Sequence, residues 1–237
     1  MRFHPKTHFF CAKICTFQKK AVILQREMKN CINHFKMDST QKNIKARIIK
    51  TGRGRCIFSQ DFAQFGTQNA VRLAFFRLVQ DGLIIRVAQG IYWYPKIDKE
   101  LGLGVLLPDT DTIAYAVAVR DNAHIVPDAN AALNMLGFST QVPANTIYLT
   151  SGVGRRINLQ IGKGNSILFK HTSNGSLFAY KSKLMLLLVL SIREIGPNLR
   201  DEEKDLIRKH LSHISEKDYK HDIQFVPGWI RDIFIKL

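Results

Sequence analysis

The residues best suited to contact a ligand lie in one short segment, residues 67–72. Gln68 and Asn69 carry amides that can pair bidentately with adenine, and Arg72 carries a guanidinium that can do so with guanine. Thr67 precedes them as the predicted helix cap and is counted with them. Such side chains in the first turns of a helix are typical of a recognition helix in the major groove. We therefore predict that Thr67, Gln68, Asn69 and Arg72 read bases, the alternative being a purely structural helix.

Basic and polar side chains suited to phosphate contacts surround this segment. Phosphate contacts position a protein on DNA and make its affinity salt-dependent, without specifying sequence. The candidates are Lys42, Lys45, Arg47 and Lys50 on a predicted first helix, Arg53 and Arg55 in its exit loop, and Arg86 and Gln89 at a predicted wing. Each alone fits a solvated surface charge, so the interpretation depends on their occurring together.

Patterns that would indicate catalysis or metal binding are weak, and the sequence predicts no enzyme, no metal and no cofactor. The two Gly-x-Gly pairs, at 152–154 and 162–164, lie among predicted strands rather than in a strand–loop–helix. Residues 162–164 read better as a hairpin turn. The strands predicted over 146–171 contain no Asp or Glu, which a nuclease would need. Solvated histidines are favoured over a metal site for His210-x2-His213 with His221.

Composition and charge restrict the class of protein. The chain has 237 residues, of which 46% are hydrophobic and 23% charged, as in a globular protein. Its longest apolar run, Leu184–Leu190, is much shorter than the ~20 residues of a membrane span. Of the net charge of +16, residues 1–98 carry thirteen units, because they hold eighteen Lys and Arg against five Asp and Glu. This asymmetry favours a polyanion-binding module joined to a nearly neutral remainder.

The elements that position the candidate residues follow the order of a winged helix. A helix over about 38–50, a strand at 56–58, a short helix capped by Ser59 and running to Phe65, and a helix from Gln68 to Gln80 precede a hairpin of 83–87 and 91–94. Thr67 caps the long helix, Asp81-Gly82 ends it, and Pro95 closes the hairpin. The prediction is an α+β protein whose winged helix-turn-helix domain spans residues 37–97.

A mixed α/β C-terminal domain with a small antiparallel sheet is predicted for residues 98–237. Its helices are predicted at about 112–120, after Asp128, at 183–195 and at 201–214, and its strands at 146–150, 157–161 and 166–171, with a short tail after Pro227.

We interpret residues 1–36 as a disordered basic extension, or as residues upstream of a true start near Met37. The spacing of Cys11, Cys15, Cys31 and His34 fits no common zinc site, so reduced thiols in a cytoplasmic protein are expected.

Residues 66–96, GTQNAVRLAFFRLVQDGLIIRVAQGIYWYPK, resemble the winged-helix domain of AbiEi-type antitoxins. In that family a short helix, a recognition helix and a wing strand of the form Gly-x-Tyr-x-Tyr-Pro recur, and here the strand reads Gly90-Ile91-Tyr92-Trp93-Tyr94-Pro95. Residues 113–159 are similar to the region after that domain in a related uncharacterised bacterial group, most specifically in AALNMLGFSTQVP and IYLTSG. The resemblance covers about residues 37–199.

The resemblance implies a bacterial cytoplasmic antitoxin of a type IV toxin–antitoxin pair, linked to abortive phage infection. In such a pair the winged helix binds double-stranded DNA at its own promoter or operator. The C-terminal domain counteracts a nucleotidyltransferase-like toxin encoded next door, functionally if not by physical contact. DNA contact carries over to Gln68, Asn69, Arg72 and Gln89, and no neutralising residue is implied. The apolar helix at 183–195 and the large second domain depart from the antitoxin pattern.

Two other functions stay open on the sequence. The protein could be a stand-alone winged-helix transcription factor whose C-terminal domain senses a ligand or a protein. It could also be a protein–protein adaptor whose basic residues are incidental. DNA binding without a toxin gene beside this one favours the transcription factor, and absence of DNA binding favours the adaptor.

Overall fold

The computed structural model describes residues 39–98, 100, 102–141, 145–161 and 165–237. The predicted basic extension, its cysteines, the cap at Asp38 and the predicted turn at 162–164 lie outside these ranges. The described chain is of the α+β class, as predicted. It divides into two compact units. One takes in the described residues up to Ile85 together with Gly90–Val105, and the other takes in Arg86–Gln89 and Leu106–Leu237.

Residues 39–106 contain two helices, a 3-10 helix and short strands, which belong to the first unit except for residues 86–89 and Leu106. In chain order they are α1 (39–51), β1 (Arg55–Phe58), the 3-10 helix Ser59–Phe65, α2 (Gln68–Gln80), β2 (Ile85–Ala88), β3 (Ile91–Tyr94), β4 (Lys96–Asp98) and β5 (Gly104–Leu106). The sheet order is β1–β3–β2, and β4 pairs with β5. Gly90 turns the chain between β2 and β3 with φ of 72°, a conformation that favours glycine.

The core of this unit lies where α1, α2 and the sheet meet. Its buried members are Ile44, Ile48, Ile57, Phe62, Val71, Ala74, Phe75, Leu78, Ile84, Tyr92 and Tyr94. The Phe75 ring lies 4.6 Å from the Tyr92 ring and 5.3 Å from the Phe62 ring, measured between centroids. Because β1 and β3 are antiparallel with Ile57 opposite Tyr92, the alternate side chains of both strands point into this core.

The second unit combines a four-stranded sheet with helices. Its elements are α3 (Thr110–Arg120), β6 (Ile125–Pro127), α4 (Ala129–Met135), β7 (Thr146–Thr150), β8 (Arg155–Asn158), β9 (Ser166–His171), the 3-10 helix Gly175–Phe178, α5 (Lys183–Ile195), α6 (Asp201–Leu211), α7 (Glu216–Asp222), the 3-10 helix Ile223–Phe225 and α8 (Gly228–Lys236). The sheet order is β6–β7–β9–β8.

Helix α5 is the centre of the second unit. Its eight consecutive residues from Met185 to Ile192 are buried, as expected for a helix that is apolar on every side. Ser182 caps its start by accepting a hydrogen bond from the Met185 amide at 3.2 Å. Helices α4, α6 and α8 pack against it, so α5 organises the helical core.

The sheet of the second unit is mixed rather than wholly antiparallel. The pairs β6–β7 and β8–β9 are antiparallel, but the central pair β7–β9 is parallel, with Tyr148 opposite Phe169. The parallel pair arises because β8 lies at the edge and β9 returns between β8 and β7. Local sequence patterns predict single strands, and they do not indicate that β9 lies between β7 and β8.

Several element boundaries differ from the sequence predictions. Strand β2 begins at Ile85 rather than 83, β8 spans Arg155–Asn158 rather than 157–161, and α3 begins at Thr110 behind the cap of Asp109. Ser59 is the first residue of its 3-10 helix, not its cap, and its hydroxyl lies 3.5 Å from the Gly90 carbonyl. The predicted helix 201–214 ends at Leu211, and the predicted tail contains α8.

Among the described residues, no helix is long and apolar enough to cross a membrane.

Candidate nucleic-acid interface

The N-terminus of α2 is fixed by a side-chain cap. Thr67 has an extended backbone, and its hydroxyl oxygen accepts a hydrogen bond from the Ala70 amide at 3.3 Å. An N-cap of this kind satisfies one of the four amides that the first turn leaves without a partner. The Thr67 oxygen is therefore engaged in the helix, and one acceptor position and the hydroxyl hydrogen remain for an outside contact.

Replacing Thr67 with alanine is expected to lower the free energy of unfolding by about 1 kcal/mol, because the Ala70 amide loses its acceptor. Urea denaturation followed by circular dichroism measures this loss. Thr67→Ser is the matched control, since serine keeps the hydroxyl and should unfold close to wild type. An alanine variant as stable as the serine variant would contradict the capping role.

Gln68, Asn69 and Arg72 share one exposed face of α2. At about 100° per residue, the three side chains leave the helix within an arc of about 100°. All three are exposed, and none hydrogen-bonds or ion-pairs with the residues that the structure describes. Three predicted base-reading side chains are thus brought together and left available to a ligand.

The neighbouring face of α2 is buried and holds the helix in place. Val71, Ala74, Phe75 and Leu78 form this buried stripe. At the far end, the Arg77 guanidinium donates to the Gln41 side-chain oxygen of α1 at 3.4 Å. A helix anchored in this way presents its first turn as a rigid edge, which helps discrimination between ligands.

Phe76 marks the limit of the polar surface on α2. It lies one turn beyond Arg72, and 56% of its surface is exposed. Successive turns are about 5.4 Å apart, so the polar surface is confined to the first two turns. A groove-bound helix would place Phe76 at the groove edge or against a thymine methyl group.

The four predicted phosphate-contacting residues of α1 are all exposed but do not share one side. Lys42 and Lys50 point away from the buried stripe of Ile44 and Ile48. Lys45 and Arg47 leave opposite flanks of the helix, about 160° apart, because they are two positions apart at about 100° per residue. One duplex lying along α1 can therefore contact only part of this set.

The two arginines after α1 are in different environments. The Arg53 guanidinium donates to the Pro95 carbonyl at 3.0 Å and lies 4.8 Å from the centre of the Tyr94 ring. It therefore joins the exit loop of α1 to the end of β3. Arg55 begins β1 opposite Tyr94 and is exposed. Arg53 has fewer donors left for phosphate than Arg55.

The predicted wing residues lie on β2 and its turn. Arg86 and Gln89 are exposed, while Val87 and Ala88 between them are buried. Residues 86–89 belong to the second compact unit, in which the Gln160 amide donates to the Val87 carbonyl at 2.7 Å. The side chains of Arg86 and Gln89 form no hydrogen bond or ion pair with the described part of the chain.

The histidines considered for metal binding have other partners. His210 contacts the carbonyl of Leu136, the residue that follows α4, at 3.0 Å. The imidazole is half-buried, so it is not fully solvated as predicted. His213 contacts the Lys209 carbonyl and His221 contacts Asp222. Within the described ranges, no three His, Cys, Asp or Glu side chains are grouped to hold a metal ion.

Two polar pairs in the second unit were missed by sequence reasoning. The Tyr148 hydroxyl donates to Asp111, and burial together with this bond raises the tyrosine pKa far above its ordinary value. Asp222 is fully buried and accepts from the Lys181 and Ser182 amides. Both pairs join residues more than 35 positions apart, so no local motif could reveal them. Tyr148 is too deeply buried to contact a substrate.

Comparison with known families matches residues 43–223 to a family of unknown function, DUF6088. The match covers about three-quarters of the chain. The protein belongs to the DUF6088 family. No curated protein matches it. The matched region takes in the base-reading candidates of α2, the phosphate candidates from Lys45 onward and both wing residues.

Proposed function

We propose that this DUF6088 protein is a DNA-binding transcriptional repressor whose segment from α1 to β3 acts as a winged helix. The order helix, strand, short helix, helix and hairpin in α1 to β3 supports this assignment. In that arrangement α2 is the recognition helix and the turn between β2 and β3 is the wing. The target is double-stranded DNA upstream of the protein's own gene, and binding there represses its operon.

The exposed polar face of α2 is the observation that carries the proposal. Gln68, Asn69 and Arg72 are the side-chain types that read adenine and guanine, and they lie together at the end that a recognition helix offers to the groove. The buried stripe behind them supplies the rigidity that base discrimination requires.

The charge of the first unit fits a polyanionic ligand. Its described residues include nine lysines and arginines against four aspartates and glutamates. This excess favours attraction to DNA and predicts affinity that falls as salt rises. The predicted phosphate contacts of α1 can be separated experimentally, because Lys45 and Arg47 lie on opposite flanks.

Lys45→Ala and Arg47→Ala are expected to differ in their effect on salt dependence. The variant that loses a phosphate contact should reduce the slope of log affinity against log salt by about 1, and the other should leave the slope unchanged. Fluorescence anisotropy with a labelled duplex over a series of salt concentrations measures both slopes. Two unchanged slopes would place α1 away from the DNA.

The antitoxin role is the second part of the proposal and rests on the resemblance of residues 66–96 to AbiEi-type antitoxins. The target would be a nucleotidyltransferase-like toxin encoded next to this gene. Co-expression tests this part, because growth arrest by the neighbouring protein should be relieved by the full chain. It should also be relieved by the Arg72→Ala variant, since neutralisation does not need the recognition helix. Continued arrest with both chains would reject the antitoxin role and leave DNA binding standing.

Exposed Phe76 favours one alternative, an adaptor that binds another protein through α2. An apolar side chain that is 56% exposed on a predicted recognition helix is the type of residue that anchors a protein interface. Phe76→Ser separates the two functions: an adaptor loses its partner, whereas a DNA reader keeps its preference for purines contacted by Gln68 and Arg72. The other alternative, a stand-alone regulator that senses a ligand, requires a ligand site in the second unit.

A further inference from the structure

We infer that the second unit binds a small aromatic anion in the cavity between β6, the 3-10 helix Gly175–Phe178 and the start of α5. The cavity has a volume of about 240 Å³ and is lined by residues of α3, β6, that 3-10 helix and α5. This is close to the lower end of small-molecule sites, which suits a ligand with one ring system. The inference does not depend on DNA binding.

The floor of the cavity is apolar and preformed. Val126, Pro127, Leu177 and Leu186 are buried there. Three of them also belong to the hydrophobic core around α5, so the floor is held by the packing of the whole unit. Covering the exposed apolar surface of this floor with a ring face gains free energy.

Aromatic rings make the walls. The His124 and Phe178 rings lie 6.0 Å apart between centroids, and the Tyr115 ring meets Tyr148 edge-on at 6.2 Å. The Tyr180 hydroxyl donates to the Phe225 carbonyl at 2.9 Å, which fixes that ring. Ring walls favour a flat ligand, because stacked and edge-on contacts between rings add to the gain from apolar burial.

The phenol of Tyr180 is neutral in this site. Burial, with a smaller contribution from the charge of Asp222, raises its pKa to about 12. A neutral hydroxyl whose hydrogen is already donated does not repel an anion. The positive charge of the site therefore comes from its two lysines.

Two lysines supply positive charge at the lining. The ammonium groups of Lys181 and Lys183 form no ion pair with the described residues, and both side chains are exposed. The nearest buried carboxylate, Asp222, directs its two oxygens at the Lys181 and Ser182 amides and at His221. Asp222 thus fixes the main chain at Lys181 and Ser182, while the two ammonium groups stay free for an anion.

These three features select the class of ligand. The apolar floor and the ring walls take a planar aromatic body, and the lysines take a phosphate or carboxylate attached to it. A nucleoside monophosphate and an aromatic carboxylic acid share this chemistry. An inorganic anion would leave the floor uncovered, and a neutral ring would leave the lysines unpaired.

Isothermal titration calorimetry of the full chain at constant ionic strength tests the inference. The probes are adenosine 5′-monophosphate, uridine 5′-monophosphate and salicylate, with adenosine and inorganic phosphate as half-ligands. At least one anionic aromatic probe is expected to bind saturably, about ten-fold or more tightly than either half-ligand. Comparing the affinity of the two nucleotides with that of salicylate shows whether the site prefers a phosphate or a carboxylate.

Variants locate the site. The double variant Lys181→Gln, Lys183→Gln should weaken the binding of that probe about ten-fold or more. Lys209→Gln, which changes an exposed lysine of α6 outside the cavity, should bind as wild type. Phe178→Leu, checked for folding by circular dichroism, should weaken an aromatic probe more than phosphate. Absence of saturable binding of all three anionic probes at about 10 mM, or unchanged binding in the lysine double variant, would overturn the inference.

Discussion

Replacing Asp222 with alanine is expected to lower the free energy of unfolding by about 2–4 kcal/mol. The carboxylate is 0% exposed and accepts hydrogen bonds from the Lys181 amide at 2.9 Å, the Ser182 amide at 2.8 Å and the His221 ring at 2.8 Å. Its loss leaves amides at the start of α5 without partners, and α5 is the centre of the core of its unit. Chemical denaturation monitored by circular dichroism measures the change.

Two variants show whether the Asp222 effect is specific. Asp222→Asn keeps one acceptor oxygen but turns the other into a donor facing an amide, so it should recover only part of the loss. Asp232→Ala removes an exposed carboxylate of α8 and should shift stability by less than about 0.5 kcal/mol. If Asp222→Ala unfolds at the same denaturant concentration as Asp232→Ala, Asp222 does not hold the start of α5.

Replacing Arg72 with alanine is expected to cost about 1–3 kcal/mol in binding the preferred DNA sequence and to relax specificity at one base pair. The guanidinium is exposed and has no hydrogen-bond partner among the described residues, so it is available for a bidentate contact with guanine. Competition binding against single-base variants of the site measures both the affinity and the discrimination.

Arg72→Lys is the control that separates base reading from charge. Lysine keeps the positive charge but lacks the planar pair of donors, so discrimination should fall while binding to random DNA is preserved. An equal loss of affinity on specific and random duplexes in Arg72→Ala would instead assign Arg72 to a phosphate contact. The stability of the fold should be unaffected in both variants, because Arg72 is not part of the core.

The elements with strong local patterns were predictable from the sequence. The Thr67 cap and the stop at Asp81-Gly82 define α2, and the apolar run of α5 defines a buried helix. The predicted first and last residues of both helices agree with the structure. The strands Thr146–Thr150 and Ser166–His171 were likewise placed correctly. In each case neighbouring residues alone determine where the element begins and ends.

Features that depend on distant parts of the chain were not predictable. Asp222 accepts a hydrogen bond from the amide of Ser182, 40 positions earlier, and the parallel pairing of β7 with β9 depends on β8 lying outside them. The cavity of the second unit draws its lining from positions between 115 and 186, which no spacing rule connects. The spread of the α1 cations around their helix, by contrast, follows from about 100° per residue and could have been predicted.

A salt titration of binding to the DNA upstream of the gene, against a scrambled duplex of equal length, tests the central proposal most directly. The account predicts affinity that falls steeply with salt on both duplexes, with a preference of about a thousand-fold or more for the upstream sequence. This result would make α2 a sequence reader and the protein a repressor of its own operon. Weak and equal binding to both duplexes would contradict the account, because the first unit would then be only a basic surface.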